Sequence, residues 1–352
     1  MKVFPFVCQW LWVWLWITAC LETVHSFSVS PSSSKGVASS SSCKDDNNVL
    51  ILDHLNMNHE CGRHDWLKAF YFDFLQCEVD ARKAENLAKG RKTLWANIGS
   101  SHQFHLPEGK PSAQVVNGII TLTLRDLEPL QQRYNQIKPM LDQSQFSMTQ
   151  NDDVTDQYYV IDPWGTQFVL KQSADPDDDE GIQDLTLYVP VGTNLDGIAR
   201  FYGQILSTPA KSTTTSSVVV QVGPKQTLTF QEHSDCSTND NHVDLRMEEE
   251  DGKYPSNYGI HVSMYIKDIR QTYRNAMELG VTYVNPRFKR RAYNEEEVVD
   301  DCMFRILDIV DPESPEKGPI VQLEHEIRSV IRRDGTKYKS CPLDPIPSGC
   351  II

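Results

Sequence analysis

The sequence predicts an α+β protein with two tandem domains, each a pair of β-α-β-β-β modules that forms an open barrel. Three observations lead to this prediction. A pattern of strand, helix and further strands occurs four times between about residues 48 and 330. An acidic run at 175–180 separates the second occurrence from the third. The 352 residues of the chain are also enough for about two domains.

The four modules follow from hydrophobic periodicity. The predicted elements of the first two modules are strand 49–59, helix 65–75 and strands 93–99 and 103–107, then strand 118–127, helix 127–141 and strands 146–150, 158–162 and 166–172. Those of the last two are strand 184–190, helix 194–206 and strands 218–223 and 227–233, then strand 261–269, helix 268–280 and strands within 281–288, 304–312 and 319–327. Asn194 is the expected N-cap of the third helix, and Gly280 is the expected end of the fourth.

The modules also set the expected limits of the domains. These are a leader at 1–47, a first domain at 48–173, an acidic linker at 174–181, a second domain at 182–330 and an irregular tail at 331–352.

The composition is that of an acidic globular protein. Hydrophobic residues make up 39% of the chain, charged residues make up 23%, and the formal net charge is −14. This charge argues against nucleic acid as a partner, because nucleic-acid binding depends on lysine and arginine at the phosphates. The nine cysteines are too few for a disulfide scaffold, and their spacing matches no zinc finger.

The leader indicates localisation outside the cytosol. Residues 3–21 form an uncharged apolar run, and residues 23–42 contain ten serines and no acidic residue. A signal peptide followed by Phe27 and a serine-rich stretch resembles the bipartite presequence of algae with secondary plastids. We therefore expect a plastid protein, with secretion and membrane anchoring as the alternatives, and no membrane association once the leader is removed.

Several short motifs recur between modules. AFYFDFL at 69–75 matches RFYGQIL at 200–206, and TLRDL at 123–127 matches YIKDI at 265–269. A turn with Asp-Pro precedes the last strand of the second and fourth modules. With these motifs in this order, residues 48–330 resemble the vicinal oxygen chelate superfamily, which includes glyoxalase, bleomycin-resistance proteins and extradiol dioxygenases.

The resemblance implies a divalent metal ion held by residues on the first and last strands of paired modules. In the second domain these positions are Asp184, His261 and Gln322. In the first domain His54 fits, but its partners are Ile119 and Val169, which cannot bind a metal, with His105 nearby. The expected metal site is therefore in the second domain, and we expect His54 to have no site.

The resemblance leaves two classes of function open, both with a small-molecule ligand. One is a metal-dependent lyase, isomerase or dioxygenase that acts on a small oxygenated molecule, with Glu324 or Glu232 as the general base. The other is a non-catalytic binding protein of the bleomycin-resistance type. No nucleotide-binding motif occurs, so no other cofactor is expected, and nothing indicates the oligomeric state.

One further group of residues has a metal-like composition. His59, Glu60, Cys61 and His64 lie close together in the sequence. Their spacing matches no zinc pattern, so the sequence predicts a polar loop.

Overall fold

The computed structural model describes residues 47–90, 92–109, 112–150, 156–173, 179–234, 243–245 and 255–352. Almost all of the predicted leader and positions 174–178 of the predicted linker lie outside the described residues. Residues 45–352 belong to one compact unit. Within the described ranges, no helix is both long enough and apolar enough to cross a membrane.

Four modules of strand, helix and further strands follow one another, as predicted. The first has β1 Val49–Asn56, α1 His64–Leu67 with a π-helical continuation Lys68–Phe74, β2 Glu78–Val79, α2 Ala84–Ala88, β3 Leu94–Ile98 and β4 His102–Leu106. The second has β5 Gly118–Leu124, α3 Leu130–Ile137 with a 3-10 continuation Lys138–Leu141, β6 Ser147–Gln150, β7 Gln157–Ile161 and β8 Gln167–Gln172.

The other two modules have the same order of elements. The third has β9 Gly181–Val189, α4 Leu195–Ile205, β10 Ala210–Thr214, β11 Ser217–Gly223 and β12 Gln226–Glu232. The fourth has β13 His261–Ile266, α5 Ile269–Glu278, β14 Thr282–Tyr283, α6 Glu295–Asp301, β15 Met303–Val310, a 3-10 turn Pro315–Lys317 and β16 Pro319–Ser329.

The strands form two open, mixed sheets of eight strands, so the predicted α+β class with paired modules is confirmed. One sheet has the order β14-β15-β16-β13-β1-β4-β3-β2, and the other has the order β10-β11-β12-β9-β5-β8-β7-β6. The first module therefore shares a sheet with the fourth, and the second shares a sheet with the third. The sheets do not coincide with the expected ranges 48–173 and 182–330, which would have paired modules that are adjacent in sequence.

The helices begin and end where the sequence indicates. Asn194 caps α4 by accepting a hydrogen bond from the backbone N–H of Gly197 at 3.0 Å. Asp268 caps α5 in the same way. That helix stops before Gly280, whose φ of +75° suits a glycine at a helix end.

Aromatic side chains connect the modules through a shared core. Phe70, from the helix of the first module, packs on Phe168 of β8 with 5.3 Å between the ring centroids. In the fourth module, the ring of His325 on β16 lies 2.7 Å, nitrogen to oxygen, from the hydroxyl of Tyr202 on α4. The helix of the first module and α4 thus each contact strands of both sheets, and these contacts hold the two sheets together.

The C-terminal tail lacks regular elements, yet it is well packed. Tyr338 and Cys341 are buried in a small cluster with Ile51 of β1 and Tyr265 of β13. The tail therefore covers the side of β1 and β13 that faces away from the main core.

Candidate metal centre

A bulge in β1 sets the direction of the first histidine. In the antiparallel pair of β1 and β13, Leu52 lies opposite Met264 and His54 lies opposite Ser263, so Asp53 is an extra residue on β1. A bulge of this kind bends the strand and redirects its side chains. The side chain of His54 is fully buried.

Three side chains that can bind a metal converge where β1, β13 and β16 lie side by side. They are His54, His261 and Glu326; all are buried, and their ligand atoms lie within 4.8 Å of one another. The strand register brings them together, because Ser263 of β13 lies opposite both His54 and Glu326. We call these three residues the His-His-Glu cluster.

The register also contains a pseudo-two-fold symmetry between the first module and the fourth. Across β1 and β13, His54 pairs with Ser263 and Asn56 pairs with His261. Rotation about an axis between these two pairs exchanges His54 with His261 and Asn56 with Ser263. The two histidines are therefore equivalent residues of two equivalent modules.

The same symmetry relates His105 to Glu326. His105 on β4 lies opposite Asn56, and Glu326 on β16 lies opposite Ser263, the symmetry mate of Asn56. The ring of His105 is stacked on that of His54, with 3.7 Å between the ring centroids. His105 therefore lies beside the cluster as the symmetry mate of Glu326, and its Nε2 lies 3.0 Å from Oε1 of Gln103.

Hydrogen bonds orient both histidine rings of the cluster. Nδ1 of His54 lies 3.0 Å from Oδ2 of Asp53, and Nδ1 of His261 lies 3.1 Å from the carbonyl oxygen of Gly259. When Nδ1 donates these bonds, the lone pair is on Nε2. Among the described residues, Nε2 of His54 is buried without a hydrogen-bond partner, and Nε2 of His261 lies 3.5 Å from Glu326. Such supporting contacts are typical of metal-binding histidines.

Burial keeps both histidines in the neutral form that binds metals. It lowers the pKa of His54 and of His261 well below the usual value, and arginines nearby add to the effect. Burial opposes the ionisation of Glu326, but Arg305 and Arg328 hold the pKa of this carboxyl well below its usual range. The cluster therefore offers two neutral imidazoles and one carboxylate.

Two arginines already bind the carboxylate of the cluster. Arg305 of β15 donates to Oε2 of Glu326 and, at 2.5 Å, to Oε1 of Glu324, while Arg328 donates to Oε1 of Glu326. The guanidinium of Arg305 lies 4.0 Å from the ring centroid of Phe288. A metal ion that binds Glu326 must therefore share the carboxylate with these guanidinium groups or displace one of them.

Of the three ligands predicted from the sequence, the structure places His261 in the cluster and Asp184 away from it. Asp184 lies on β9 in the other sheet, where its carboxylate accepts hydrogen bonds from Thr186, Thr227 and Thr229 at 2.6, 2.5 and 2.8 Å. The three hydroxyl groups satisfy the carboxylate. Asp184 does occupy the first strand of its module, but that module pairs with the second and not with the fourth.

Gln322 lies on the same strand as Glu326 but precedes it, nearer the start of β16. Its side-chain amide donates to Oδ1 of Asp308 at 2.5 Å. Because side chains on one face of a strand recur every second residue, Gln322, Glu324 and Glu326 share a face. Alternation along β16 was the signal that could have identified Glu326.

The two general bases predicted from the sequence lie in different sheets. Glu324 is buried beside the cluster, where Asn285 donates to its Oε2 at 2.6 Å and burial raises its pKa. Glu232 ends β12, and its carboxylate accepts a hydrogen bond from the backbone N–H of Gly192 at 2.7 Å. Glu324 is thus the member of the pair that lies near the His-His-Glu cluster.

The strand order does not give His54 the neighbours on which the expectation of no metal site depends. Ile119 and Val169, its expected neighbours, lie on β5 and β8 of the other sheet. The residues beside His54 come instead from the fourth module.

The donors fit a divalent transition metal. Two imidazoles and one carboxylate that leave positions open are a common set for such ions. Among the described residues, the buried Nε2 of His54 has no hydrogen-bond partner, so its lone pair can bind a metal ion. Arg305 and Arg328 compete with the ion for Glu326, and this competition is the cost of binding at this site.

Comparisons with known proteins give similarity of fold. No family model matches the chain, and no curated protein matches it in sequence. Glyoxalase I from Zea mays is 12% identical with a TM-score of 0.47, over 80% of this chain and 93% of that one. A putative dioxygenase from Bacillus subtilis is also 12% identical with a TM-score of 0.46, over 82% and 89% of the two chains.

A third similar structure is the 2,2',3-trihydroxybiphenyl 1,2-dioxygenase from Sphingomonas wittichii. It is 11% identical with a TM-score of 0.27, over 80% of this chain and 90% of that one. At these identities and TM-scores the similarity assigns no family, activity or substrate to this chain.

Proposed function

We propose that the protein is a metal-dependent enzyme of the vicinal oxygen chelate type, with its active site at the His-His-Glu cluster. The observation that supports this most directly is the symmetric origin of the cluster. His54 and His261 are equivalent residues of two modules, and each has an Nδ1 contact that leaves Nε2 facing the cluster. The substrate class is a small molecule with two adjacent oxygen atoms.

The residues that would hold the metal are His54, His261 and Glu326. A divalent ion at this place acts as a Lewis acid that polarises substrate oxygens. Asp53 and the carbonyl of Gly259 keep the two imidazoles oriented.

Glu324 is the proposed general base. It lies on the same face of β16 as the ligand Glu326, and burial raises its pKa, which makes it a better proton acceptor once it is ionised. Isomerisation, lyase chemistry and ring cleavage are the reactions that this arrangement of ligands and base would serve.

Metal analysis combined with cobalt spectroscopy tests the proposal. We expect His54→Ala and His261→Ala each to lower the bound metal by one equivalent. In the cobalt-loaded protein, a bidentate oxygen ligand such as catechol should shift the visible ligand-field bands. If catechol leaves these bands unchanged while cobalt is bound at His54, the proposed substrate class is wrong.

A second candidate is a non-catalytic binding protein, and the arginines at Glu326 favour it. Arg305 and Arg328 compensate the carboxylate without a metal. Binding of catechol that persists after treatment with a chelator, together with no metal in the purified protein, would support this candidate.

We also propose that residues 1–47 direct the protein to a plastid. The proposal rests on the apolar run, Phe27 and the serine-rich stretch. A fluorescent protein fused to these residues should enter the plastid of an alga with secondary plastids, whereas Phe27→Ala should keep it out. Secretion of the fusion would favour the alternative address.

A further inference from the structure

A six-residue loop follows β1 and holds two buried histidines that the proposed function does not use. The loop, His59–His64, contains a turn closed by the hydrogen bond from the backbone N–H of Arg63 to the carbonyl of Glu60 at 3.2 Å. The backbone of His59 forms a bridge with Glu108, just beyond β4. The two histidines therefore flank a turn that is anchored to the end of the first sheet.

The two imidazole rings have the geometry of a pair that shares one ion. Their centroids lie 5.6 Å apart, with an angle of 64° between the ring planes. Two imidazoles on one zinc ion, with Zn–N bonds of about 2.0–2.1 Å, have centroids on the order of 5–6 Å apart. Little movement is needed for both rings to reach a common ion.

The ring nitrogens of this pair lack the partners that buried polar atoms normally have. His59 is 1% exposed and His64 is 7% exposed. The carbonyls of Leu106 and Pro107 lie near the ring of His59, but among the described residues neither nitrogen of His59 makes a hydrogen bond, and nor does Nε2 of His64. A metal ion would bind one nitrogen of each ring.

Two more donors lie near the same turn, although no three donor atoms of this group lie within 4.8 Å of one another, so the turn would have to close around an ion. The thiol of Cys61, at the tip of the turn, contacts the carboxylate of Glu108. That carboxylate also accepts a hydrogen bond from the backbone N–H of Gly62 at 2.9 Å. Arg63, the arginine of this loop, forms a salt bridge with Asp65 at 3.1 Å. The donors at the turn therefore include two groups that carry or can carry negative charge.

We propose that the loop His59–His64 is a second metal site, which binds a borderline transition-metal ion of the Zn²⁺ class. His59 and His64 are its nitrogen ligands, and Cys61 with Glu108 supplies the remaining donors. Nitrogen and thiolate donors suit Zn²⁺ and Co²⁺ and disfavour Mg²⁺ and Ca²⁺. The indole of Trp164, from the second module, donates to Glu60 at 3.2 Å and closes one side of the site.

This site is independent of the His-His-Glu cluster. None of its donors belongs to that cluster, so substitutions can remove either metal site without removing the other. The ion would fix the conformation of the loop that carries Glu60. Because Trp164 donates to Glu60, a fixed loop would also hold the turn of the second module against the end of β1.

Cobalt titration of the purified protein, after removal of metals with a chelator, tests the proposal. In the His54→Ala background, which lacks the first site, we expect one equivalent of Co²⁺ with the visible bands of tetrahedral coordination. Adding His59→Asn and His64→Asn should weaken this binding by more than about 100-fold. Cys61→Ser should remove the thiolate-to-cobalt charge-transfer band.

The matched control is His233→Asn, because His233 stacks on Tyr188 in the other sheet. It should bind cobalt like its parent, and circular dichroism should show the same fold for all variants. If His54→Ala does not fold, the loop variants are compared in the wild-type background, where they should lose one equivalent. The proposal is overturned if the double loop variant keeps its tetrahedral cobalt, or if no cobalt binds when His54 is absent and the protein is folded. If the proposed function alone is wrong, the wild-type protein binds one equivalent of Co²⁺, and this binding depends on His59 and not on His54.

Discussion

The side chain of Gln226 binds both backbone groups of Leu52 and thereby joins the two sheets. Its Oε1 accepts from the N–H of Leu52 at 3.1 Å, and its Nε2 donates to the carbonyl of Leu52 at 3.0 Å and to that of Ile182 at 2.9 Å. Leu52 directly precedes the bulge residue Asp53. A residue at the start of β12 thus stabilises the strand that presents His54.

Replacement of Gln226 should therefore weaken both the fold and the metal site. We expect Gln226→Leu to lower the free energy of unfolding by about 2–4 kcal/mol, because it leaves buried backbone groups without partners. The affinity for Co²⁺ at His54 should also fall. Urea denaturation and cobalt titration measure the two effects. Gln231→Leu, on the same strand but half-buried, is the control, and equal effects of both changes would contradict this role of Gln226.

Arg305 should compete with a metal ion for Glu326. We expect Arg305→Met to lower the stability of the metal-free protein by about 3–5 kcal/mol, because two buried carboxylates lose a partner. The same change should raise the affinity for a divalent ion at least about tenfold, since the positive charge of the guanidinium no longer repels the ion. Thermal unfolding with and without metal measures both effects.

The control for this prediction is Arg200→Met, because Arg200 pairs with Asp311 outside the cluster. It should change stability without changing metal affinity. An unchanged or lower metal affinity of Arg305→Met would mean that the guanidinium does not occupy the metal position.

The strand order predicts which carboxylates and histidines are required for the protein to bind a metal ion. We expect His54→Ala and His261→Ala to remove the ion of the His-His-Glu cluster and Asp184→Ala to retain it, because Asp184 lies in the other sheet. Elemental analysis of the purified variants measures this. Loss of metal in Asp184→Ala with the fold intact would place the ion in the second sheet instead.

Asp80 should make stability depend on pH in the acid range. Its carboxylate accepts hydrogen bonds from Arg82 and Gln103, and the bond to Arg82 lowers its pKa from 3.8 to about 2. The stabilising effect is complete above the unfolded pKa of 3.8 and is lost as the pH falls towards about 2. It amounts to about 1–2 kcal/mol.

Urea denaturation of the wild type and Asp80→Asn tests this dependence. The difference in stability between the two proteins should be largest near neutral pH and should shrink as the pH falls below about 4. A difference that stays constant over this range would show that Asp80 is not a stabilising ion-pair partner.

The sequence predicted the modules correctly because each follows from local patterns. Helical spacing in α4 and the N-cap at Asn194 depend on residues a few positions apart. The partner of β1 depends on residues more than two hundred positions away. The first strands of all modules have similar alternation, so local patterns favour β5 and β13 equally as neighbours of β1.

The candidate site was missed for the same reason. His54 and His261 were both recognised as first-strand residues with metal-binding side chains. The expected domain limits place them in different domains. In that arrangement the counterpart of His54 is Ile119 and not His261. Once the sheet is known, the register His54–Ser263–Glu326 brings the third ligand to the cluster.

The pairing of the first module with the fourth has a consequence during synthesis of the chain. The ribosome releases β1 long before β13, so the edge of β1 that should receive β13 stays open while two further modules are made. Such edges are prone to pair with other chains. Nascent chains that end before His261 should therefore rely on chaperones, and the His-His-Glu cluster forms only when the last module has left the ribosome.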